Sequence, residues 1–227
     1  MRVITPDRIE GELSMFKNTI WDFDGTLCDT YPSIVRSMKE ALEGFGYEVA
    51  EEEILWNVKK TLGYALEYYA EKFGLGEALE KKFVELSKKA SPTERPLYDY
   101  TKEICELIID RGGMNFIVTH RDLESTLKVT DYYGITELFT EIVTRDHGFA
   151  RKPDPEAFNY IVEKYNLRKE ETLAIGDRAL DIIAAKKCGV KTCYFNEFGV
   201  SIDIVPDIEI TSFKELYELI KNEGKGK

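Results

Sequence analysis

Two aspartates stand close together directly after the first apolar run that is typical of a strand. Asp22 and Asp24 follow residues 19–21 and precede Gly25. In an open parallel sheet, ligands bind beyond the carboxyl ends of the strands, and a glycine there lets the backbone turn sharply and approach an anion. The alternative is an Asp-Gly hairpin turn. Because no strand-like run follows Leu27 to complete a hairpin, a carboxylate pair at a ligand site is the favoured interpretation.

Other polar residues mark the ends of later strand-like runs. Thr119, Lys152 and Asp177 each follow a different run, and Asp181 stands four residues beyond Asp177. Taken alone, each has a common structural explanation: a helix cap for Thr119, a solvated loop lysine for Lys152, and a turn or cap residue for Asp177. Their joint placement predicts instead that four strand ends contribute to one site.

The residue types at these positions indicate phosphoryl chemistry. A cluster of Asp22, Asp24 and Asp177 repels itself without a counter-ion, and its oxygen ligands suit a hard divalent cation such as Mg²⁺. With Mg²⁺, a lysine and a hydroxyl, the site suits a phosphoryl group, whose transfer depends mainly on positioning and charge neutralisation. An aspartate is ionised at pH 7 without a separate base and can accept a phosphoryl group as an acyl phosphate.

In this order and placement, these residues resemble the four motifs of the haloacid dehalogenase-like hydrolase superfamily. Residues 22–26 resemble motif I, Thr119 motif II, Lys152 with Pro153 motif III, and residues 176–181 motif IV. The resemblance covers nearly the whole chain. The segment that follows motif I is similar to the C1-type helical cap of the phosphoglycolate phosphatase and β-phosphoglucomutase-like subfamily.

The resemblance implies a Mg²⁺-dependent phosphatase of small phosphate monoesters. Asp22 would be the nucleophile, and Asp24 would protonate the leaving oxygen and then activate water. The metal ligands would be Asp22, Asp177 and the backbone carbonyl of Asp24, with Asp181 acting around the metal and the lysine. The candidate residues for binding the substrate are Gly25, Thr26, Thr119, His120 and Lys152.

Departures from related subfamilies narrow the prediction. Dehalogenases lack the second aspartate of motif I, and this chain has Asp24. The β-phosphoglucomutases carry a histidine five residues after the position of Asp29, where this chain has Ile34. A phosphosugar mutase is therefore the alternative enzyme. A phospho-aspartate signalling or binding module is the alternative from another class, although such a module needs no cap.

The periodicity along the chain predicts an α/β fold with a Rossmann-like parallel sheet. Strand-like runs cover residues 19–21, 115–118, 141–143, 172–175 and 192–195, with a weaker run at 207–210, and helical patterns cover 100–111, 123–133, 156–165 and 180–188.

Residues 31–91 break the alternation, because their periodicity is helical and contains no convincing strand. We therefore expect a discontinuous core domain over residues 15–30 and 96–227, an all-helical C1-type cap over 31–95, and an N-terminal extension over 1–14. The cap segment at residues 61–64 is similar to a loop that faces the active site and helps to select the substrate. A plain turn between helices is the alternative.

Composition excludes several classes of partner. Thirty-one Lys and Arg face 42 Asp and Glu, a formal net charge of −11, so nucleic acid and anionic membrane surfaces would meet repulsion. For the same reason, local cations such as Lys152, with Arg121 or Arg178, must attract an anionic substrate.

The sequence also predicts the cellular location of the protein. No apolar run reaches the roughly 20 residues of a membrane span, and residues 1–14 lack the apolar segment of a secretory signal. Four cysteines without a Cys-x-x-Cys pair argue against a disulfide framework or a zinc site. We expect a cytoplasmic monomer or homodimer that acts on a small phosphorylated metabolite. Met15 is an alternative natural start to Met1.

Overall fold

A six-stranded parallel sheet forms the centre of the protein. A computed structural model describes residues 16–222, and its strands lie in the order β3-β2-β1-β4-β5-β6. All five strand pairs are parallel. The strands are β1 Asn18–Trp21, β2 Met114–Val118, β3 Glu141–Val143, β4 Thr172–Gly176, β5 Lys191–Phe195 and β6 Ile208–Ile210. The order changes direction at β1 and β4, which is where parallel α/β sheets bind their ligands.

Helices alternate with these strands, as the periodicity predicted. Four of them follow β1 in succession: α1 Tyr31–Glu43, α2 Glu51–Lys60, α3 Leu62–Phe73 and α4 Glu77–Lys89. The others connect or follow the later strands: α5 Thr101–Asp110, α6 Leu123–Tyr132, α7 Glu156–Lys164, α8 Ala179–Cys188 and α9 Phe213–Asn222. The predicted α/β class with a helical insert is confirmed. The sequence reading missed α9.

Neighbouring residues of the strands pack on opposite faces of the sheet. Ile20 and Phe116 belong to a buried cluster with α7 and α8. Trp21 and Ile117 belong to another, which includes residues of α5 and α9. Because side chains alternate along a strand, a strand buried on both faces carries apolar residues at successive positions, which explains the short continuous runs in the sequence.

The helices α1 to α4 bury side chains against one another. Met38, Ile54, Tyr69 and Leu79, one from each helix, are fully buried in a cluster of their own. The ends of α2 also suit a helix, since its first turn carries three glutamates and its last turn carries two lysines. Those charges interact favourably with the helix dipole.

A buried polar network holds β1 against β2. The Thr19 hydroxyl donates to Asn115 Oδ1 at 2.6 Å, and Trp21 Nε1 donates to the same hydroxyl at 2.7 Å. The Asn115 amide then donates to the carbonyls of Cys105 and Leu138 at 2.9 and 3.0 Å. With its donors and acceptors satisfied, this network fixes the two strands whose ends carry Asp22 and Thr119.

Within residues 16–222, no helix is both long and apolar enough to cross a bilayer. The predicted extension at residues 1–14, the alternative start at Met15 and residues 223–227 of the predicted core lie outside the described residues.

We predict that Gly113, at the start of the segment leading into β2, cannot be replaced. A Cβ there would lie 1.6 Å from the carbonyl oxygen of Lys17, whose own N–H is tied to Glu171 O at 2.9 Å. Gly113→Ala should therefore lower the free energy of unfolding by more than about 3 kcal/mol in urea titrations. Gly112→Ala is the matched control, since its φ is 75° and no atom of the described residues lies within 4 Å of its Cβ position. It should cost about 1–2 kcal/mol. Equal losses would contradict the steric explanation.

Candidate active site

The carboxyl ends of three central strands bring the predicted residues to one edge of the sheet. Asp22 follows β1, Thr119 follows β2 and Asp177 follows β4. The Asp22 N–H donates to Ile175 O and the Thr119 N–H donates to Val143 O, both at 2.9 Å. These bonds continue the sheet pairing by one residue, so both side chains start from a fixed backbone.

Motif I turns sharply beneath this edge. Gly25 has a φ of 77°, and a Cβ on it would lie 2.2 Å from Tyr31 Cε2 and 2.7 Å from Asp177 Oδ2. Only glycine therefore fits this position. The neighbouring Thr26 hydroxyl donates to Asp177 Oδ1 at 3.3 Å. In this structure Gly25 and Thr26 thus shape the surroundings of Asp177.

Lys152 bridges two aspartates from opposite sides of the site. Its Nζ lies 2.5 Å from Asp22 Oδ1 and 2.6 Å from Asp181 Oδ1, and its side chain is only 2% exposed. Burial alone would lower the pKa of Lys152, but Asp181 and Asp22 raise it above its ordinary value. The lysine therefore stays charged and orients the Asp22 carboxylate.

The two aspartates on this lysine differ in acidity. Burial, with the negative charge of Asp181, raises the pKa of Asp22 to about 7. Burial also acts on Asp181, but Lys152 and Arg178 outweigh it and lower the pKa of that carboxyl. Asp181 is thus held ionised, whereas Asp22 depends on the surrounding positive charge for its ionisation.

Three carboxylates could hold a cation together. Oxygens of Asp22, Asp177 and Asp181 lie within 4.8 Å of one another, and all three residues are buried. An all-oxygen set of this kind suits a hard divalent cation. Tyr31 already donates its hydroxyl to Asp177 Oδ2 at 2.6 Å, a contact from α1 that sequence reasoning missed.

Arg178 lies among the same carboxylates. Its Nη2 donates to Asp22 Oδ2 at 3.2 Å, and its Nε lies 3.7 Å from Asp177 and 3.6 Å from Asp181. The sequence indicated Arg178 only as a source of positive charge near the cleft. The structure shows that it contacts the second oxygen of Asp22, opposite the oxygen that Lys152 binds.

Asp24 is placed apart from the other carboxylates. Arg121 Nη1 donates to Asp24 Oδ1 at 2.7 Å, and the guanidinium lies over the Phe23 ring at 5.2 Å. Although burial opposes the shift, Arg121 lowers the pKa of Asp24. The metal contact expected from Asp24 is through its backbone carbonyl, and the role of its carboxylate in proton transfer stays a prediction.

His120 contacts the backbone of Lys152. Its Nε2 accepts the Lys152 N–H at 3.0 Å. The backbone N–H of the neighbouring Arg121 donates to the Thr119 hydroxyl at 3.1 Å. Burial, followed by the charge of Lys152, lowers the pKa of His120 to about 3. A neutral imidazole therefore supports the loop that carries the lysine, and its predicted contact with substrate stays a prediction.

The helical insert also reaches the site. Lys59, in the last turn of α2, places its Nζ 3.9 Å from Asp177 Oδ2. The predicted selection loop begins two residues later, where Thr61 Oγ1 accepts the Tyr64 N–H at 2.9 Å and caps α3. Sequence reasoning missed Lys59. The sequence signal for it was its position three residues after Trp56, which places both side chains on the same face of the helix.

Comparison with protein families gives a match over most of the chain. The sequence profile of the haloacid dehalogenase-like hydrolase family matches residues 19–195. The chain belongs to the haloacid dehalogenase-like hydrolase family. The resemblance predicted from the four motifs is thus confirmed.

Relatives in this family span nearly the whole chain. The phosphoglycolate phosphatase of Vibrio parahaemolyticus is 28% identical over 222 residues, covering 88% of this chain and 94% of that protein. A structure from Haemophilus somnus, described as a predicted phosphoglycolate phosphatase, superposes with a TM-score of 0.79 at 21% identity, covering 91% and 99% of the two chains. A HAD-hydrolase structure from Bacillus subtilis, described as bound to magnesium, gives a TM-score of 0.71 at 22% identity, covering 92% and 100%.

We predict that His120 makes the stability of this hydrolase depend on pH. Its folded pKa of about 3 lies below the ordinary value of about 6.5, so its contribution is complete above pH 6.5 and is lost as the pH falls towards 3. At pH 5 the wild type should lose about 1–2 kcal/mol through this residue.

Unfolding titrations at pH 7 and pH 5 test this expectation. His120→Gln retains an acceptor without a titrating ring, so it should lose less stability than the wild type between these pH values. His147→Gln, at the short helical turn of residues 145–147, is the matched control. The same loss in His120→Gln as in the wild type would refute the assignment.

Proposed function

We propose that this protein is a Mg²⁺-dependent phosphatase that hydrolyses small-molecule phosphate monoesters through a phospho-aspartate at Asp22. The observation that carries the proposal is the buried Asp22 carboxylate, whose two oxygens contact Lys152 and Arg178 at 2.5 and 3.2 Å. A carboxylate held in this way has a fixed direction of attack, and the cations beside it can bind the oxygens of a phosphoryl group.

The balance of charge supports a metal at this site. Four carboxylates face an equal number of cations: Asp22, Asp24, Asp177 and Asp181 against Lys59, Arg121, Lys152 and Arg178. A phosphate monoester adds two negative charges to this buried set, which two further positive charges must offset. A divalent cation supplies them.

The donor set fits Mg²⁺. Asp22 and Asp177 would hold it through their carboxylates, with the backbone carbonyl of Asp24, while Asp181 holds Lys152. A bound Mg²⁺ would neutralise phosphoryl oxygens and favour the ionised form of Asp22. The Bacillus subtilis protein described as bound to magnesium shares this fold.

The proposed reaction has two steps, transfer of the phosphoryl group to Asp22 and hydrolysis of the acyl phosphate. A carboxylate oxygen of Asp22 attacks phosphorus, the bond from phosphorus to the leaving oxygen breaks, and Asp24 gives that oxygen its proton. Asp24 then takes a proton from water, which attacks the phosphorus of the acyl phosphate. This releases inorganic phosphate and regenerates Asp22. Thr119 and Lys152 would bind the transferring oxygens.

For Asp24 to act as an acid, its ion pair with Arg121 has to weaken. In this structure Arg121 pairs with Asp24 and lowers its pKa, which disfavours the protonated form. A phosphoryl dianion bound nearby competes for the guanidinium. We therefore expect substrate binding to weaken this ion pair and to let Asp24 carry the proton that the leaving oxygen needs.

We also propose that residues 31–95 are a cap over this site and that residues 15–30 with 96–227 are the core. The separate buried cluster of α1 to α4 supports this division, as do the contacts of Tyr31 and Lys59 with Asp177. A cap that covers the phosphoryl group would exclude water during the first step.

Small phosphorylated metabolites are the proposed substrates. Phosphoglycolate is the first compound to test, because phosphoglycolate phosphatases such as that of Vibrio parahaemolyticus are relatives over most of their length. A cytoplasmic location and a monomeric or homodimeric state stay predictions from the sequence.

The first prediction of this function concerns Asp22. Wild-type protein should release p-nitrophenol and phosphate from p-nitrophenyl phosphate with Mg²⁺ and lose turnover in EDTA. Asp22→Asn, which removes the nucleophile but keeps the shape, should lower kcat by at least about 10⁴-fold. Asp110→Asn, an exposed aspartate at the end of α5 and outside the site, is the matched control and should retain wild-type rates.

Other outcomes identify the alternatives. Turnover of a sugar monophosphate that requires a bisphosphate activator would favour the mutase. The position where a mutase carries a histidine is Ile34 in this chain, which packs against the buried cluster of α1 to α4. A stable phospho-Asp22, formed from acetyl phosphate without turnover of any ester, would favour the signalling module. Full activity in Asp22→Asn would refute the proposed nucleophile.

The second prediction separates the two steps. Asp24→Asn keeps a partner for Arg121 but cannot accept a proton, so hydrolysis of the phospho-aspartate should slow by about 10²–10⁴-fold. Because p-nitrophenolate leaves without an acid, rapid-mixing measurements should show a burst of product equal to the enzyme present, followed by slow turnover. Wild-type steady-state rates without a burst would contradict the role of Asp24.

A further inference from the structure

Lys59 carries an ammonium group that has no hydrogen-bonded partner among residues 16–222. Its nearest carboxylate oxygen, on Asp177, is 3.9 Å away, beyond hydrogen-bond distance. Instead, the ammonium lies 3.7 Å from the ring centroid of Phe198 and 5.0 Å from that of Tyr31. Its side chain is only 15% exposed. Three N–H donors in so little water favour an anionic acceptor.

The neighbouring lysine differs in this respect. Lys60 Nζ donates to the hydroxyl of Tyr64 at 3.2 Å and to Asn57 Oδ1 at 3.4 Å. Both lysines follow Trp56 on α2, but within the described part of the chain Lys60 has hydrogen-bond acceptors and Lys59 has none. Lys59 is therefore the residue on this turn that can bind a further group.

A cavity of about 370 Å³ adjoins Lys59 and has the proposed metal ligand Asp177 in its wall. It lies between α2, the first turns of α8 and the segment after β5. Its other walls are largely apolar and include Trp56, Leu180, Ile183, Val200 and Ile202. The Trp56 side chain is 59% exposed, so a flat, largely apolar face is available beside the ammonium.

The size of the cavity favours a larger leaving group than glycolate. Cavities of about 300 Å³ and above hold ligands of many non-hydrogen atoms, whereas a two-carbon acid would leave most of the apolar wall against water. Burying an aromatic or aliphatic body against Trp56 and Ile183 would remove that wall from water.

We propose that this cavity binds the leaving group of the substrate and selects phosphate monoesters of organic acids with a bulky apolar or aromatic body. Lys59 binds the carboxylate, and Trp56 packs against the body. The inference rests on the proposed phosphatase function, because it places the leaving group next to the phosphoryl site. It names a specificity-determining residue, Lys59, on α2 and not in the loop at residues 61–64.

Steady-state kinetics with Mg²⁺ test the proposal on matched esters. The pair is 4-carboxyphenyl phosphate and phenyl phosphate, which differ by one carboxylate, and phosphoglycolate is the small acid. Wild-type kcat/KM should be at least about tenfold higher for the carboxyphenyl ester, the effect of one charge-assisted hydrogen bond. Lys59→Met should abolish this preference by raising KM for the carboxyphenyl ester at least about tenfold more than KM for phenyl phosphate.

Three further variants complete the test. Lys59→Arg should restore much of the preference, and Lys60→Met, the matched control, should keep all of it. Trp56→Ala should raise KM for both aromatic esters and leave phosphoglycolate unaffected. If Lys59→Met does not fold, Lys59→Arg and Trp56→Ala provide the test. Loss of the preference in Lys59→Arg, together with an unchanged KM for both aromatic esters in Trp56→Ala, would then overturn the proposal.

A binding measurement checks the same site without turnover. Of the two tryptophans, Trp21 is fully buried and Trp56 is exposed. The acid 4-hydroxybenzoate should therefore quench Trp56 emission in wild-type protein, and it should do so much less in Lys59→Met. Phenol, which lacks the carboxylate, should distinguish the two proteins poorly.

The failures of the two proposals are distinguishable. Equal losses of kcat on every ester in Lys59→Met would show that Lys59 acts on the phosphoryl group or only ties α2 to Asp177, and the inference would be wrong while the phosphatase stands. Equal wild-type rates on the two aromatic esters would also overturn it. No hydrolysis of any ester by the wild type would refute the proposed function itself.

Discussion

The ion bridge from Asp22 through Lys152 to Asp181 is the contact on which the site depends. All three side chains are 3% exposed or less, so each charge has lost its water and needs its partner. Loss of one member would leave an uncompensated buried charge, which typically costs about 3–5 kcal/mol. The bridge therefore forms only when β1, the segment after β3 and the start of α8 are all in their native positions.

Close packing and a backbone hydrogen bond hold the members of this bridge in place. Gly176 lies against Asp181, where a Cβ would come within 2.4 Å of the Asp181 Cβ, and His120 holds the Lys152 N–H. These contacts restrict the movement of the groups around Asp22, whose ionised form is stabilised by Lys152 and Arg178. The same rigidity would let Asp22 attack without reorganisation of its neighbours.

The fold was largely predictable, since its signals are local. The strand of residues 141–143 was predicted with the bounds that it has, and β1, β2, β4 and β5 differ from the prediction by one residue at an end. The helix α9 was missed. Phe213, Leu216 and Ile220 pack it into the core, and their spacing of three and four residues was the local signal for a helix.

The sequence by itself identified the residues that we propose do the chemistry, because motif spacing at strand ends depends on the chain alone. Only the tertiary structure decided their partners. Arg121 binds Asp24 across 97 positions and Tyr31 binds Asp177 across 146, and Lys59 meets the same aspartate from the helical insert. Such pairs form when separate elements pack, and the direction of each side chain is set by neighbours distant in sequence. Periodicity predicts the helices and strands, but it does not indicate which residues distant in sequence will contact one another.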